Sequence, residues 1–268
     1  MTYALFLARR VIAVVLATGI FSGIGICGAE TAPPTEKTTA KAADGKPAKA
    51  VKKGRSEKDA STPKEAGLDR HAKFMEQAKK GMCDLLFLGD SITDHWPRWS
   101  KESWAQFAKY KPLNFGIGGQ HTEHILWRIR NGELEGIHPK VVVLLLGTNN
   151  IGHTPDKPEW VAAGLKEIIN TVQEKQPQAK VLLLAIFPRG GKDSAFRKRI
   201  NATNALLGTY DNGTSVRYLD IGNKLVDANG EIPKDIMGDG LHPGDKGYKI
   251  WAAAMLPLLD EMMNGKAK

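Results

Sequence analysis

The chain has 268 residues, a formal net charge of +9 and 42% hydrophobic content, which suits one globular domain with added segments or two small domains. The positive balance does not argue for a nucleic-acid partner. The 67 residues before Leu68 carry 11 basic and 6 acidic residues, which leaves only +4 from Leu68 onward.

Arg9 and Arg10 precede an apolar run from Val11 to about Cys27, and the small residues Gly28 and Ala29 follow. A basic head, an apolar stretch and a small-residue end describe a secretory leader. Residues 1–29 are therefore expected to be a signal peptide cut after Ala29, with export to a periplasmic or extracellular destination. An uncleaved anchor is the rival reading, but the run is short and glycine-rich for a membrane span. Cleavage would remove Cys27, leave Cys83 alone and rule out an internal disulfide.

Residues 30–67 are rich in Ala, Lys, Pro and Thr, contain no aromatic residue and have Val51 as their only large aliphatic. Such a stretch buries too little apolar surface to offset its ordering entropy, so it reads as a disordered tether. The folded domain is expected over residues 68–264. Within it, five apolar runs follow one another: Asp84 to Gly89, Pro112 to Ile117, Val141 to Leu146, Val181 to Phe187 and Val216 to Ile221. Unbroken runs of this length mark strands covered on both faces. Helical spacing links Trp160, Val161, Leu165, Ile168, Ile169 and Val172, and again Tyr248, Trp251, Met255, Leu259 and Met262, where Pro257 is a candidate kink. Strand and helix in alternation predict an α/β domain: a three-layer sandwich with a five-stranded parallel sheet.

Open parallel sheets bind ligands beyond the carboxyl ends of their strands, and the chemistry-bearing residues fall there. Gly89-Asp90-Ser91-Ile92-Thr93 follows the first run, Asn114 to Gly119 closes the second, Gly147-Thr148-Asn149-Asn150 follows the third, and Asp239-Gly240-Leu241-His242-Pro243 lies beyond the fifth. Ester hydrolysis needs a serine activated by a base, a carboxylate that orients that base, and N–H donors for the oxyanion. Ser91, His242 and Asp239 fit those three roles. The Ser91 N–H, the Gly119 N–H and the Asn149 carboxamide make a three-donor oxyanion hole. Taken singly, Ser91 reads as an N-cap, Asn149 as a turn residue, Asp239-Gly240 as a turn pair and His242 as structural. Their joint order, each block after its own strand, favours catalysis.

These four blocks resemble the SGNH, or GDSL-like, hydrolase superfamily, with Ile92 standing where the older family name has leucine. The stretch from Leu113 to Thr154 is similar to the catalytic subunits of the platelet-activating-factor acetylhydrolase Ib group. The similarity lies in Asn114 to Gly119, His124-Ile125-Leu126-Trp127-Arg128, Asn131-Gly132-Glu133-Leu134, Gly147-Thr148-Asn149-Asn150 and Pro188-Arg189-Gly190. Gln120, where that group has aspartate, and the Asp239 to Pro243 block, closer to bacterial members and carbohydrate esterases, are departures. The resemblance implies a flavodoxin-like strand order and hydrolysis of short, acetyl-sized O-acyl esters through an acyl-serine. The implied substrate is an acetylated carbohydrate or a short-acyl lipid, and no cofactor is required. A non-catalytic alternative is a secreted module that binds wall polymer through the lysines between Lys37 and Lys64.

Two weaker patterns are set aside. His121 and His124 flank Glu123 at helical spacing without an evident third ligand, so no metal is expected. Gly116, Gly118 and Gly119 mimic part of a dinucleotide fingerprint but lack its full spacing and a downstream acidic partner. Arg189, after the fourth run, is a candidate contact for an anionic substrate group.

Overall fold

The computed structural model describes residues 64–154 and 156–264. The expected leader and most of the expected tether lie outside these residues. Lys64 to Gly67, assigned to the tether, are instead ordered: Glu65–Gly67 form a 3-10 turn that runs into α1 (Leu68–Ala78). Two contacts explain this. Lys64 Nζ donates to Gly119 O at 2.8 Å. Gly67 sits so close to the Gln120 side chain that a Cβ there would come within 2.8 Å of its amide nitrogen.

Five strands, β1 (Leu85–Gly89), β2 (Pro112–Gly116), β3 (Val141–Leu145), β4 (Lys180–Leu184) and β5 (Val216–Leu219), form one parallel sheet in the order β2-β1-β3-β4-β5. This is the expected flavodoxin-like order. Each strand lies within three residues of the expected bounds. The largest difference is at β4, expected to reach Phe187. There the Asn204 side chain captures both the N–H and the C=O of Ile186, so the backbone leaves the ladder early.

Alternation along each strand builds two cores. Leu86, Leu88, Val142, Leu144, Val181 and Leu183 face α1, α4 (Thr122–Arg130), α6 (Pro158–Lys175) and α7 (Ala195–Gly208). Leu85, Phe87, Val143, Leu145, Leu182 and Leu184 face α2 (Ser91–Trp99) and α8 (Asp245–Asn264) through Trp96, Tyr248, Trp251 and Met255. Two short helices, α3 (Lys101–Ala105) and α5 (Thr148–His153), complete the set. Trp96 and Trp251 pack with ring centroids 4.0 Å apart and their planes tilted by 32°, and both are fully buried, locking α2 to α8. Each such ring contributes on the order of 3 kcal/mol by leaving water. Pro257 lies within α8, which continues through it. Among the described residues, no helix is long and apolar enough to cross a membrane.

The strand order reverses at β1, which pairs with β2 on one side and β3 on the other. A crevice opens at such a reversal, outside the carboxyl ends of the two central strands. Ser91 leaves β1 there and Asn149 leaves β3 there.

Candidate active site

The chain turns from β1 into α2 within two residues, which raises Ser91 at the first position of the helix. Asp90 caps that helix: its Oδ1 accepts from the Ile92 N–H at 3.0 Å. Close packing of α2 on the sheet depends on Gly116, where a Cβ would lie 2.4 Å from the Asp94 backbone nitrogen. A side chain there would push the helix, and Ser91 with it, away from the strands.

The loop after β5 brings Asp239 and His242 to the same end of the sheet. Gly240, at φ +70°, lets the loop fold back. Asp239 Oδ1 then accepts from the N–H groups of both Leu241 and His242, at 2.9 and 2.8 Å. Its Oδ2 lies 2.7 Å from His242 Nδ1. An ionised carboxylate can only accept, so the Nδ1 proton is on the imidazole and Nε2 is left as an acceptor. Ser91 Oγ stands 2.9 Å from that Nε2 and donates to it. Burial raises the Asp239 carboxyl, but the three hydrogen bonds from His242 and Leu241 outweigh it and hold the pKa below the ordinary value.

The three residues expected to supply oxyanion donors, Ser91, Gly119 and Asn149, lie on the segments that follow β1, β2 and β3. Gly118, beside Gly119, faces Ser91, where a Cβ would meet the serine Cβ at 3.8 Å. Gly119 adopts φ +69°, a conformation L side chains rarely take. The Asn149 carboxamide is buried, and its Nδ2 donates to Gln120 O at 3.0 Å and to Asp90 Oδ2 at 3.3 Å. Gln120 is fixed in turn by a buried ion pair. Arg128 joins Glu133 and also donates to Gln120 Oε1 and Phe115 O, while His71 Nδ1 meets Glu133 at 3.0 Å. The loop carrying the glycines is thus tied to α1 and α4. Sequence reasoning missed this network because no local pattern marks Gln120, Arg128 and Glu133 as buried, and His71 lies 62 positions before Glu133.

Three more side chains border the site. Asp90 is 1% exposed, and burial raises its carboxyl to a pKa of about 6, against the Ile92 N–H and the nearby His242. Arg189 donates to Thr148 O at 3.0 Å and rests on Phe196. Its guanidinium feels both Asp90 and Asp239, which places it beside the relay, and burial lowers its pKa. His95, one turn after Ser91, stacks on Trp99 and lies 5.2 Å from the His242 ring.

The ligand atoms of His121, Glu123 and His124 gather within 4.8 Å of one another, so the Glu123 noted between the two histidines stands as the third group of that cluster. Their hydrogen bonding does not suit a cation. The His121 N–H donates to His124 Nδ1 at 2.9 Å, which leaves the His124 proton on Nε2, facing Glu123 at 3.4 Å. A metal would have to displace that proton and break the bond that caps α4.

The GDSL-like lipase/acylhydrolase family profile matches residues 87–250. The chain is 38% identical over 191 residues to platelet-activating factor acetylhydrolase IB subunit alpha1 of Bos taurus, covering 70% of this chain and 80% of that one. It is 38% identical over 183 residues to the alpha2 subunit of Rattus norvegicus, covering 68% and 78%. In fold it is similar to a GDSL-like lipase from Bacteroides thetaiotaomicron, with a TM-score of 0.60 and 20% identity over 73% of this chain and 98% of that one. The chain belongs to the GDSL-like lipase/acylhydrolase family and is an ester hydrolase.

Proposed function

We propose that this protein removes short acyl groups, acetyl above all, from O-acyl esters, with Ser91 as nucleophile, His242 as base and Asp239 as the group that orients it. The observation that carries this reading is the continuous relay from Ser91 Oγ to His242 Nε2 at 2.9 Å and from His242 Nδ1 to Asp239 Oδ2 at 2.7 Å. Ser91 Oγ bonds to the acyl carbon as its proton passes to His242 Nε2. The alcohol leaves with that proton, and an acyl-serine forms. Water then attacks the acyl-serine, giving its proton to His242, and the acid departs as Ser91 regains its hydrogen.

The oxyanion falls to the N–H groups of Ser91 and Gly119 and to Asn149 Nδ2. Of the two bonds Asn149 Nδ2 makes, the longer one, to Asp90, is the one an oxyanion would replace. This exchange strengthens a donor already aimed at the site, at little reorganisation cost.

The short-acyl preference draws support from relatives that are acetylhydrolases by name, and from the Gly118 backbone packed against Ser91. The acyl acceptor is an acetylated carbohydrate or a short-acyl lipid. Export through a leader over residues 1–29 is part of the proposal, supported by Arg9, Arg10 and the apolar run behind them. A p-nitrophenyl ester series from acetate to decanoate tests acyl length. Each methylene that fits a pocket gains about 0.8 kcal/mol, whereas one that meets a wall gains nothing. The expected result is a steep fall in kcat/KM beyond butyrate, and a preference for octanoate or longer would overturn the reading.

A further inference from the structure

Ser91, His95 and Trp99 are spaced four residues apart along α2, so they form a single stripe on one face of that helix. The stripe starts at the nucleophile and ends on an exposed indole. Trp99 is 46% exposed, and the only other exposed large hydrophobics among the described residues are Leu68 and Met82. An indole left in water at the edge of a catalytic centre leaves apolar surface uncovered, and this one is held in place. Its ring stacks on His95, with centroids 4.2 Å apart and 29° between planes. The His242 ring meets it edge-on at 6.1 Å. Burial and the neighbouring His242 lower the pKa of His95 against the pull of Asp94, which favours the neutral form of the ring beneath Trp99.

The surroundings of the indole are polar. Arg98 pairs with Asp94 at 3.0 Å on the same helix. Lys101 and Glu102 are exposed just beyond it, and Glu102 pairs with Lys249. One rigid aromatic face with charged hydrogen-bonding residues just before and after it in the chain suits a sugar ring, which offers C–H groups on its faces and hydroxyls around its rim. A lipid surface calls for a cluster of apolar side chains, and among the described residues none is exposed beside Trp99.

Eight residues of helix set Trp99 roughly 12 Å along the axis from Ser91. That is the backbone spacing; the indole itself leans back to 6.1 Å from the His242 ring, so a sugar whose ester is being cleaved at Ser91 reaches only its near edge, and the rest of the face is open to the next unit of the same chain. We infer that Trp99, backed by His95, is a stacking platform that selects an acetylated oligo- or polysaccharide as the acyl acceptor by holding a sugar unit removed from the one being deacetylated. This inference rests on the ester-hydrolase reading above and narrows its substrate.

The test compares the wild type, Trp99→Ala and Trp99→Phe on acetylated xylose, acetylated xylotriose and p-nitrophenyl acetate. The wild type should favour the trisaccharide over the monosaccharide about tenfold in kcat/KM, mostly through KM, the scale of one aromatic contact. Trp99→Ala should bring that ratio close to one, and Trp99→Phe should keep most of it. A role confined to folding would lower all three substrates together and leave the ratio intact. A wild type without length preference, or a Trp99→Ala variant that keeps it, overturns the inference. So does a wild type that prefers vesicles of short-acyl phosphatidylcholine and loses that preference in Trp99→Ala. Ser91→Ala with p-nitrophenyl acetate is the separate control: turnover surviving there would fail the ester-hydrolase mechanism and not the platform.

Discussion

Asp90 offers a direct measure of how burial shapes this site. The carboxyl has an ordinary pKa of 3.8 and is raised to about 6 in the fold, chiefly because it is buried. It is 1% exposed, so solvent screening takes little away. The native state therefore holds the Asp90 proton more tightly than the unfolded chain does. That contribution is complete below pH 3.8, shrinks as pH rises through about 6, and is gone above. The two-unit difference corresponds to roughly 3 kcal/mol between acid and neutral pH. Asp90→Asn keeps an oxygen for the Ile92 N–H but sets an amide against Asn149 Nδ2, a penalty of about 1–3 kcal/mol that does not vary with pH. The stability difference between variant and wild type isolates the titration. It should move in favour of Asp90→Asn by roughly 2.5 kcal/mol from pH 4 to pH 7.5, or roughly 5–10 °C in Tm for a domain of this size, and then level off. Calorimetry of both proteins in half-unit pH steps reads this. A difference that stays flat, or that moves against the variant as pH rises, refutes the assignment of a buried, proton-holding carboxyl beside Ser91.

Two further substitutions follow from the same geometry. Asn149→Ala should lower kcat about 10²–10³-fold, the usual effect of losing one oxyanion donor, whereas an effect confined to KM would make Asn149 a substrate-binding residue. Arg128→Met should cost roughly 3–5 kcal/mol by stranding the buried Glu133 charge, and it should also slow turnover by releasing Gln120; adding Glu133→Leu should recover much of the stability in a denaturant titration.

The architecture could be read from the sequence because a parallel sheet covered on both faces writes its strands as unbroken aliphatic runs. Val141 to Leu146 and Val181 to Phe187 show this plainly. The ends of those runs were harder to place. Ile186 and Phe187 are as apolar as the strand before them, and only the distant Asn204 draws the backbone away. The location of the candidate site was legible for a similar reason: Ser91, Asn149, Asp239 and His242 lie beyond strands of an open α/β sheet, where functional groups collect. What positions them was not. Arg128, Glu133, His71 and Gln120 look like ordinary polar residues until the fold buries them together. Trp99 was equally opaque, although its spacing from Ser91 and His95 places all three on one helix face. Lys64 was read as part of a disordered segment, since no local pattern announces a lysine that reaches 55 positions ahead to Gly119.

The central claim is that Ser91 is the nucleophile of this hydrolase. The most direct measurement is labelling by a serine-reactive fluorophosphonate, with the modified peptide located by mass spectrometry and turnover of p-nitrophenyl acetate followed alongside. One adduct on Ser91, loss of turnover in proportion to labelling, and neither labelling nor turnover in a folded Ser91→Ala variant is the predicted result. An adduct on another residue, or a Ser91→Ala variant that keeps near-normal turnover, would contradict the account.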